Sequence, residues 1–433
     1  MMIRKLFLIL LSSIVAIICV AQEDDFDETS RDIRENPIID WSEEDFDVTV
    51  PSYIKTKLNR VDYNGANWSN LRTALASTAI SSTVSIVHIG DSHIQAGHVA
   101  EEVRNNLQFD DGNAGRGLIS PLRMSKTNQP ADYEFSSTES WSAIKLMSHR
   151  WTRTMGFTGT SITPVNQKSN FLVATSEKED YNPFSEITVF HGGQFFVTSI
   201  TDTNGNLVPF LSLPSKDYTH IRLTKDVTSA RIHFESSGDL TIFGASLSGG
   251  RPGVFFHSIG NNGASFSTYN KIGTVGEGIA PLQPRLVILS LGTNEAFGKE
   301  SKRLIQSSID VLVKNIKSSN PDAEILLVTP MECQRVQYAK VSGKKRKGRS
   351  TSRTSRGYAV NSEIANVRDA IIEYGKEHKI AVYDWYAVAG GANISNRWIE
   401  NGYFSGDRIH LSHKGYRLQG FLLYQALRDA FTN

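Results

Sequence analysis

Residues 85–93 read Ser-Ile-Val-His-Ile-Gly-Asp-Ser-His, and Val99–Leu107 (VAEEVRNNL) follow with apolar residues at helical spacing. A short apolar run closed by Gly90 is strand-like, and a helix-period stretch directly after it marks the start of an alternating α/β pattern. The rest of the chain divides according to whether it continues this pattern.

From Gly253 onward it does. Gly253–Ser258, Arg285–Leu291, Ala323–Thr329 and Ile380–Asp384 are apolar and strand-length, while Ser301–Ser319, Asn361–Lys379 and Ser412–Phe431 are amphipathic at helical period. Alternating strands and helices predict a parallel sheet covered on both faces. Between about Gln129 and Leu247 the pattern changes to short β-rich runs: 170–175, 186–191, 194–200, 220–224, 230–235 and 240–245. Turn signals such as Thr203-Asn204-Gly205-Asn206 separate them. The predicted architecture is an α/β domain at 51–125 and 251–433, interrupted at 126–250 by an inserted all-β sandwich.

Ser92 follows the first strand at the edge where α/β sheets place their ligands. Three other fragments fall on that edge: Asn262-Gly263-Ala264, Gly292-Thr293-Asn294-Glu295 and Asp407-Arg408-Ile409-His410. Together they supply the parts of an acyl-transfer site. Ser92 is the candidate nucleophile and His410 the candidate base, with Asp407 placed to fix the imidazole tautomer and stabilise the imidazolium. The expected oxyanion hole is the N–H of Ser92, the N–H of Gly263 and the side-chain amide of Asn294. The alternative is a plain turn in which Asp91 or Ser92 caps the following helix.

Gly90-Asp91-Ser92, Gly263, Gly292-Thr293-Asn294 and Asp407-x-x-His410, in that order, resemble the four sequence blocks of the SGNH (GDSL-type) hydrolases. The resemblance covers about Val84–Leu122 and Gly253–Asn433. It implies a flavodoxin-like three-layer fold, no metal or other cofactor, and ester hydrolysis through an acyl-enzyme. Gly90–Gly97 (GDSHIQAG), Gly112–Gly117 (GNAGRG) and the β insertion further resemble a subgroup that includes peptidoglycan O-acetylesterases, whose inserted sandwich is similar to a carbohydrate-binding module. Glu295 departs from the family, where Asp commonly follows the Asn. The implied function is an exported esterase acting on an acylated carbohydrate. The alternatives are a glycan-binding protein with a vestigial site, an O-acetyltransferase, or a lipase using the same triad.

Other residue sets need weighing. His88, His93 and His98 recur every five residues, but a strand–turn–helix path aims them apart, so no metal site is expected. His413 could replace His410, although it falls on the predicted helix. Gly112–Gly117 does not join strand to helix as a nucleotide fingerprint does, and is read as a loop lining the site entrance. Trp141 and Trp151 are candidates for a sugar-stacking platform, with a role in the sandwich core as the alternative.

Composition bounds the rest. The chain has 433 residues, 39% hydrophobic and 21% charged, with a formal net charge of +1. That is an ordinary globular composition and gives no support for a nucleic-acid partner. Residues 1–21 have a basic start, an apolar run from Leu6 to Val20 and small residues at the end, which predicts a cleaved signal peptide rather than a membrane span. Lipidation at Cys19 is disfavoured by the bulky Ile18. Cleavage leaves Cys333 alone, so no internal disulfide is expected. Residues 22–50 carry 12 acids and two bases and read as a disordered tether. Lys340–Arg356 carries eight bases and no acid, and reads as a solvated loop or a contact for an anionic polymer or for the acidic tether.

Overall fold

The structure, a computed structural model, describes residues 48–78, 82–176, 182–342 and 352–432. The predicted signal peptide, Cys19, most of the acidic segment and residues 343–351 of the basic stretch lie outside the described residues. The last residues of the predicted tether do not behave as one: Val48 and Val50 pack against the core, and the Tyr403 hydroxyl donates to the Thr49 carbonyl at 3.4 Å.

After a helix α1 (Ser69–Ala76), the chain enters strand β1 (Thr83–Gly90), the short helix α2 (Ser92–Gln95) and helix α3 (His98–Asp111). It then runs through β2 (Gly117–Ile119), β3 (Tyr133–Ser136), β4 (Trp141–Lys145), β5 (Thr160–Pro164), β6 (Lys168–Thr175), β7 (Phe184–Gly192), β8 (Phe195–Thr201), β9 (Phe210–Pro214), β10 (Tyr218–Val227), β11 (Ser229–Ser236) and β12 (Thr241–Ser248). The α/β pattern resumes with β13 (Gly253–Gly260), α4 (Phe266–Asn270), α5 (Val275–Ile279), β14 (Pro284–Ser290), α6 (Thr293–Gly298), α7 (Lys302–Ser319) and β15 (Glu324–Val328). The chain closes with β16 (Gln334–Ser342), β17 (Ser352–Val360), α8 (Glu363–His378), β18 (Ala381–Tyr383), α9 (Trp385–Val388), α10 (Ser395–Glu400) and α11 (His413–Thr432).

Five of these strands form a parallel sheet in the order β13-β1-β14-β15-β18. Numbered by chain order within the sheet, this is 2-1-3-4-5, the flavodoxin-like winding. Its strands are buried on both faces because helices cover both, with α3 and α11 packed together on one side and α7 against α4, α5 and α8 on the other. Winding reverses between β1 and β14, so a crevice opens beyond their carboxyl ends. Ser92 and Asn294 follow those two strands directly.

The inserted strands are antiparallel and form two sheets, β4-β5-β12-β7-β10-β9 with β2 also on β12, and β3-β6-β11-β8. Alternate residues, among them Phe135, Phe171, Val189, Ile221, Ile232 and Phe234, fill a second hydrophobic core between them. The α/β fold with an inserted all-β domain is therefore as the sequence indicates, but two details differ. The chain joins the antiparallel sheet at Gly117, ahead of residue 126, because β2 pairs with Ala245–Leu247 of β12. The arms of the basic stretch are not a loop: β16 and β17 pair from Gln334↔Val360 to Ser342↔Ser352.

A buried charge cluster joins the two cores. Asp132 accepts from Arg116 Nε and Nη2 at 2.9 and 3.0 Å, and Arg104 of α3 lies 3.1 Å away. Burial would raise the Asp132 pKa, but the two guanidinium charges hold it below the usual carboxylate range.

Candidate active site

Gly90 ends β1 beneath the site, where an added Cβ would fall 2.3 Å from Ile94 and 2.8 Å from the Ser290 carbonyl. Only glycine fits where the chain turns into α2. Asp91 caps α2 by accepting from the His93 N–H at 2.9 Å, so Ser92 becomes the first helical residue. First-turn N–H groups have no intrahelical partner, and among the described residues the Ser92 N–H meets no protein acceptor.

His410 arrives from the far end of the chain. Its Nε2 lies 2.8 Å from Ser92 Oγ and its Nδ1 lies 2.5 Å from Asp407 Oδ2. The turn carrying it is fixed by Asp407 Oδ1, which accepts from Ser405 Oγ at 2.6 Å and from the N–H groups of Ile409 and His410 at 2.9 Å each. Arg408 adopts φ +60° within it. Ser92, His410 and Asp407 thus form one continuous hydrogen-bonded relay.

The electrostatics follow from these contacts. Burial would raise the Asp407 pKa, but the hydrogen bond and charge of His410, with the Ser405 and Ile409 donors, hold it well below the carboxylate range. Burial would lower His410, but the hydrogen bond and charge of Asp407, together with the charge of Asp91, raise it above 6.5. Asp91 itself is pushed up to about 7 by burial, against the opposing His93 N–H and His410 charge. The titrations of Asp91 and His410 are therefore coupled, each charge favouring the other's ionised form.

The expected oxyanion donors converge on the same edge. Gly263 adopts φ +76° after β13, and among the described residues its N–H meets no protein acceptor. Asn294 is the second residue of α6, and its amide donates to the Ala264 carbonyl at 2.8 Å with a longer approach of 3.4 Å to Asp91 Oδ2. One amide hydrogen thereby holds the Gly263 turn, while the other has only the long contact to Asp91.

Several contributors carry weaker sequence signals. Gln95 Oε1 accepts from the Asn262 N–H at 2.7 Å, and Gln95 Nε2 donates to Thr127 and Asn128, so the Gly263 turn is tied to α2. His93 packs its ring 5.1 Å from that of His410 and bonds through Nδ1 to the Tyr416 hydroxyl at 3.0 Å. Glu295 is fully buried and accepts from the Phe266 N–H at 2.8 Å, so the departure from Asp serves the start of α4 rather than the reacting atoms. Burial pushes its pKa up to about 8. The loop after β4 also reaches the site: a Cβ on Gly263 would meet Met147 at 3.6 Å, and Leu146 and Phe157 belong to the α/β core. Only GDSHIQAG, containing His93 and Gln95, offered a local clue to this surrounding shell.

The remaining sequence candidates disperse. His88 bonds Ser290 Oγ at 2.6 Å, His93 bonds Tyr416, and His98 lies 4.4 Å from the ring of His413, leaving His410 alone on Ser92. Gly112–Gly117 does not line the entrance. It runs beside β13, starting at its amino end, where Asn113 bridges to Val254, and Gly117 is needed because a Cβ there would sit 2.3 Å from the Phe256 carbonyl. Trp141 and Trp151 form no shared platform. Trp141 packs on Phe171 and Phe234 inside the sandwich, whereas Trp151 lies against the α/β core and donates to the Leu146 carbonyl at 3.3 Å.

Residues 242–418 match the model of the GDSL-like Lipase/Acylhydrolase family. No curated protein matches the sequence. Among solved structures, a peptidoglycan O-acetylesterase is similar in fold, with 21% identity, 86% of this chain and 99% of that chain covered, and a TM-score of 0.68. A lipase/acylhydrolase from Enterococcus faecalis is similar over 41% of this chain and 77% of its own, at 17% identity and a TM-score of 0.29.

Proposed function

From a chain that carries a GDSL-like lipase/acylhydrolase domain, and with it the fold of a carboxylic ester hydrolase, we propose an exported serine esterase that removes O-acetyl groups from a cell-envelope or extracellular carbohydrate. The observation that carries the chemistry is the relay from Asp407 through His410 to Ser92, at 2.5 and 2.8 Å. The carbohydrate reading is supported by the inserted sandwich and by the name of the O-acetylesterase of similar fold, in which peptidoglycan is the substrate. Among the described residues no helix is long and apolar enough to cross a membrane, and export rests on the signal-like residues 1–21.

In this mechanism Ser92 Oγ attacks the ester carbonyl while its proton passes to His410 Nε2. The oxyanion forms against the N–H groups of Ser92 and Gly263 and the Asn294 amide hydrogen that otherwise makes the long contact to Asp91. Collapse breaks the ester C–O bond, and the sugar oxygen leaves with the proton from His410. The Ser92 acyl-enzyme is then cleaved by water, whose proton passes through His410 back to Ser92 Oγ, releasing acetate. Asp407 stays ionised throughout, since its donors favour the anion.

A panel of 4-nitrophenyl esters tests acyl size: acetate should exceed decanoate in kcat/KM, and the reverse order would replace this reading with a lipase. Acetate release from O-acetylated peptidoglycan and xylan tests the polymer. Aryl acetate turnover with neither polymer deacetylated would remove the carbohydrate assignment.

A further inference from the structure

The hairpin β16–β17 leaves the parallel sheet after β15, at the same edge as the candidate site, and its base is held by that site's own elements. Gln334 N–H donates to the Arg408 carbonyl at 2.9 Å, and Arg408 Nη1 donates to Gln334 Oε1 at 3.0 Å, so the first hairpin residue is bonded to the turn between Asp407 and His410. On the other side the Arg335 guanidinium stands 5.9 Å from the ring of Phe297, on the helix that carries Asn294. The arm therefore rises between the His410 turn and the Asn294 helix.

Its register sorts the side chains. Directly opposed residues of an antiparallel pair share a face, so Val336 with Tyr358 and Tyr338 with Arg356 lie on one face. The Arg408 guanidinium stacks 4.2 Å over the Tyr358 ring, and Arg356 lies 5.9 Å from the same ring. Tyr338, next along the face, is 68% exposed. A ladder of guanidinium, phenol, guanidinium and phenol thus runs outward from the His410 turn. Among the described residues, Arg335, Arg356 and Arg408 have no carboxylate partner; their contacts are aromatic rings and the Gln334 amide. The sequence sets Lys340 and Arg353 further along the arms.

Unpaired guanidinium groups interleaved with aromatic faces suit a strand that offers carboxylates and sugar C–H surfaces in alternation. We propose that this hairpin is a docking arm for a carboxylate-bearing glycan strand, which it leads into the Ser92 crevice. A neutral polysaccharide would leave the cationic groups unmatched. The proposal rests on the carbohydrate esterase reading and narrows its substrate class to acidic polymers.

The test uses insoluble O-acetylated peptidoglycan, either native or with its carboxyls converted to amides, and reads binding separately from chemistry. Cosedimentation is measured for the Ser92→Ala chain alone and with Tyr338→Ala and Arg356→Glu added; acetate release and 4-nitrophenyl acetate hydrolysis are measured with Ser92 intact. Both hairpin positions are exposed, and Arg356→Lys serves as the charge-preserving control. Binding should weaken about tenfold on amidation and about tenfold in the double variant, the lysine variant should stay within about twofold, and aryl acetate turnover should be unchanged. Equal binding to native and amidated material, or unchanged binding by the double variant, would overturn the docking arm. Tighter binding by the double variant would mean that an acidic segment of the chain occupies the arm, and would also overturn it. Binding as expected without acetate release would instead fault the esterase reading and leave the arm standing.

Discussion

Three residues drawn from opposite ends of the chain meet within hydrogen-bond distance, and their titration sets the pH response. In the proposed mechanism His410 acts as a base only when neutral, and Asp407 and Asp91 together raise its pKa, so kcat/KM should climb with pH through a limb above the ordinary imidazole value. Replacing Asp91 with Asn removes a charge that favours the imidazolium, so the limb should move to lower pH; a limb that stays in place would show that Asp91 does not act on His410. Asn294→Ala removes a proposed oxyanion donor and should cost about 3 kcal/mol, roughly a hundredfold in kcat. A loss confined to KM would instead make Asn294 a ground-state contact. At this scale the sequence is most legible. Gly-Asp-Ser, Gly-Thr-Asn and Asp-x-x-His each stand directly after a strand or before a helix, so local order alone carries Ser92, Asn294, Asp407 and His410 to one edge. Tyr416 and Met147 carry no such signature, because they reach the site only through helix packing and the insertion.

The elements explain why that edge is rigid. Gly260 lets the end of β13 touch α2, since a Cβ there would fall 2.1 Å from the Gln95 nitrogen. The Tyr269 hydroxyl ties α4 to the Gly90 carbonyl at 2.7 Å, and Asn261 Nδ2 bonds both that hydroxyl and the Thr158 carbonyl of the insertion at 2.9 Å. Gly260→Ala should therefore lower activity and stability together, read as a fall in kcat alongside a fall in Tm; an unchanged Tm would show that α2 can shift freely. The helices with a continuous apolar stripe, α7, α8 and α11, were legible to within two residues. The hairpin β16–β17 was not, because its Ser, Gly and basic residues lack the apolar alternation of a half-buried strand. Its pairing comes instead from the two chain ends held at Cys333 and Asn361, where the Asn361 N–H donates to the Cys333 carbonyl at 3.0 Å.

Across the whole molecule, two cores are joined by a charge cluster that neither part could bury alone. Asp132 pairs with both Arg116 and Arg104 in a setting where all three are at most 2% exposed. Asp132→Asn would leave uncompensated guanidinium charge and should destabilise the protein by about 3–5 kcal/mol. Its folded pKa is depressed, so the wild-type contribution is present above the unfolded carboxylate value and is lost as pH falls through the folded one. Urea unfolding of both proteins between neutral and acid pH checks this: the stability difference should shrink on acidification, and a constant difference would contradict the ion-pair origin. The near-zero net charge told little at this scale. It conceals a segment with 12 acids and a stretch, Lys340–Arg356, with eight bases, attached to a nearly neutral body whose chemistry lies elsewhere.

The relay from Asp407 to Ser92 is tested most directly by acetate release from O-acetylated peptidoglycan, with 4-nitrophenyl acetate in parallel, by the parent chain and by Ser92→Ala matched for folding by circular dichroism. The parent should release acetate from both and the variant from neither. Turnover by Ser92→Ala at the parent rate would contradict the acyl-enzyme and require another nucleophile.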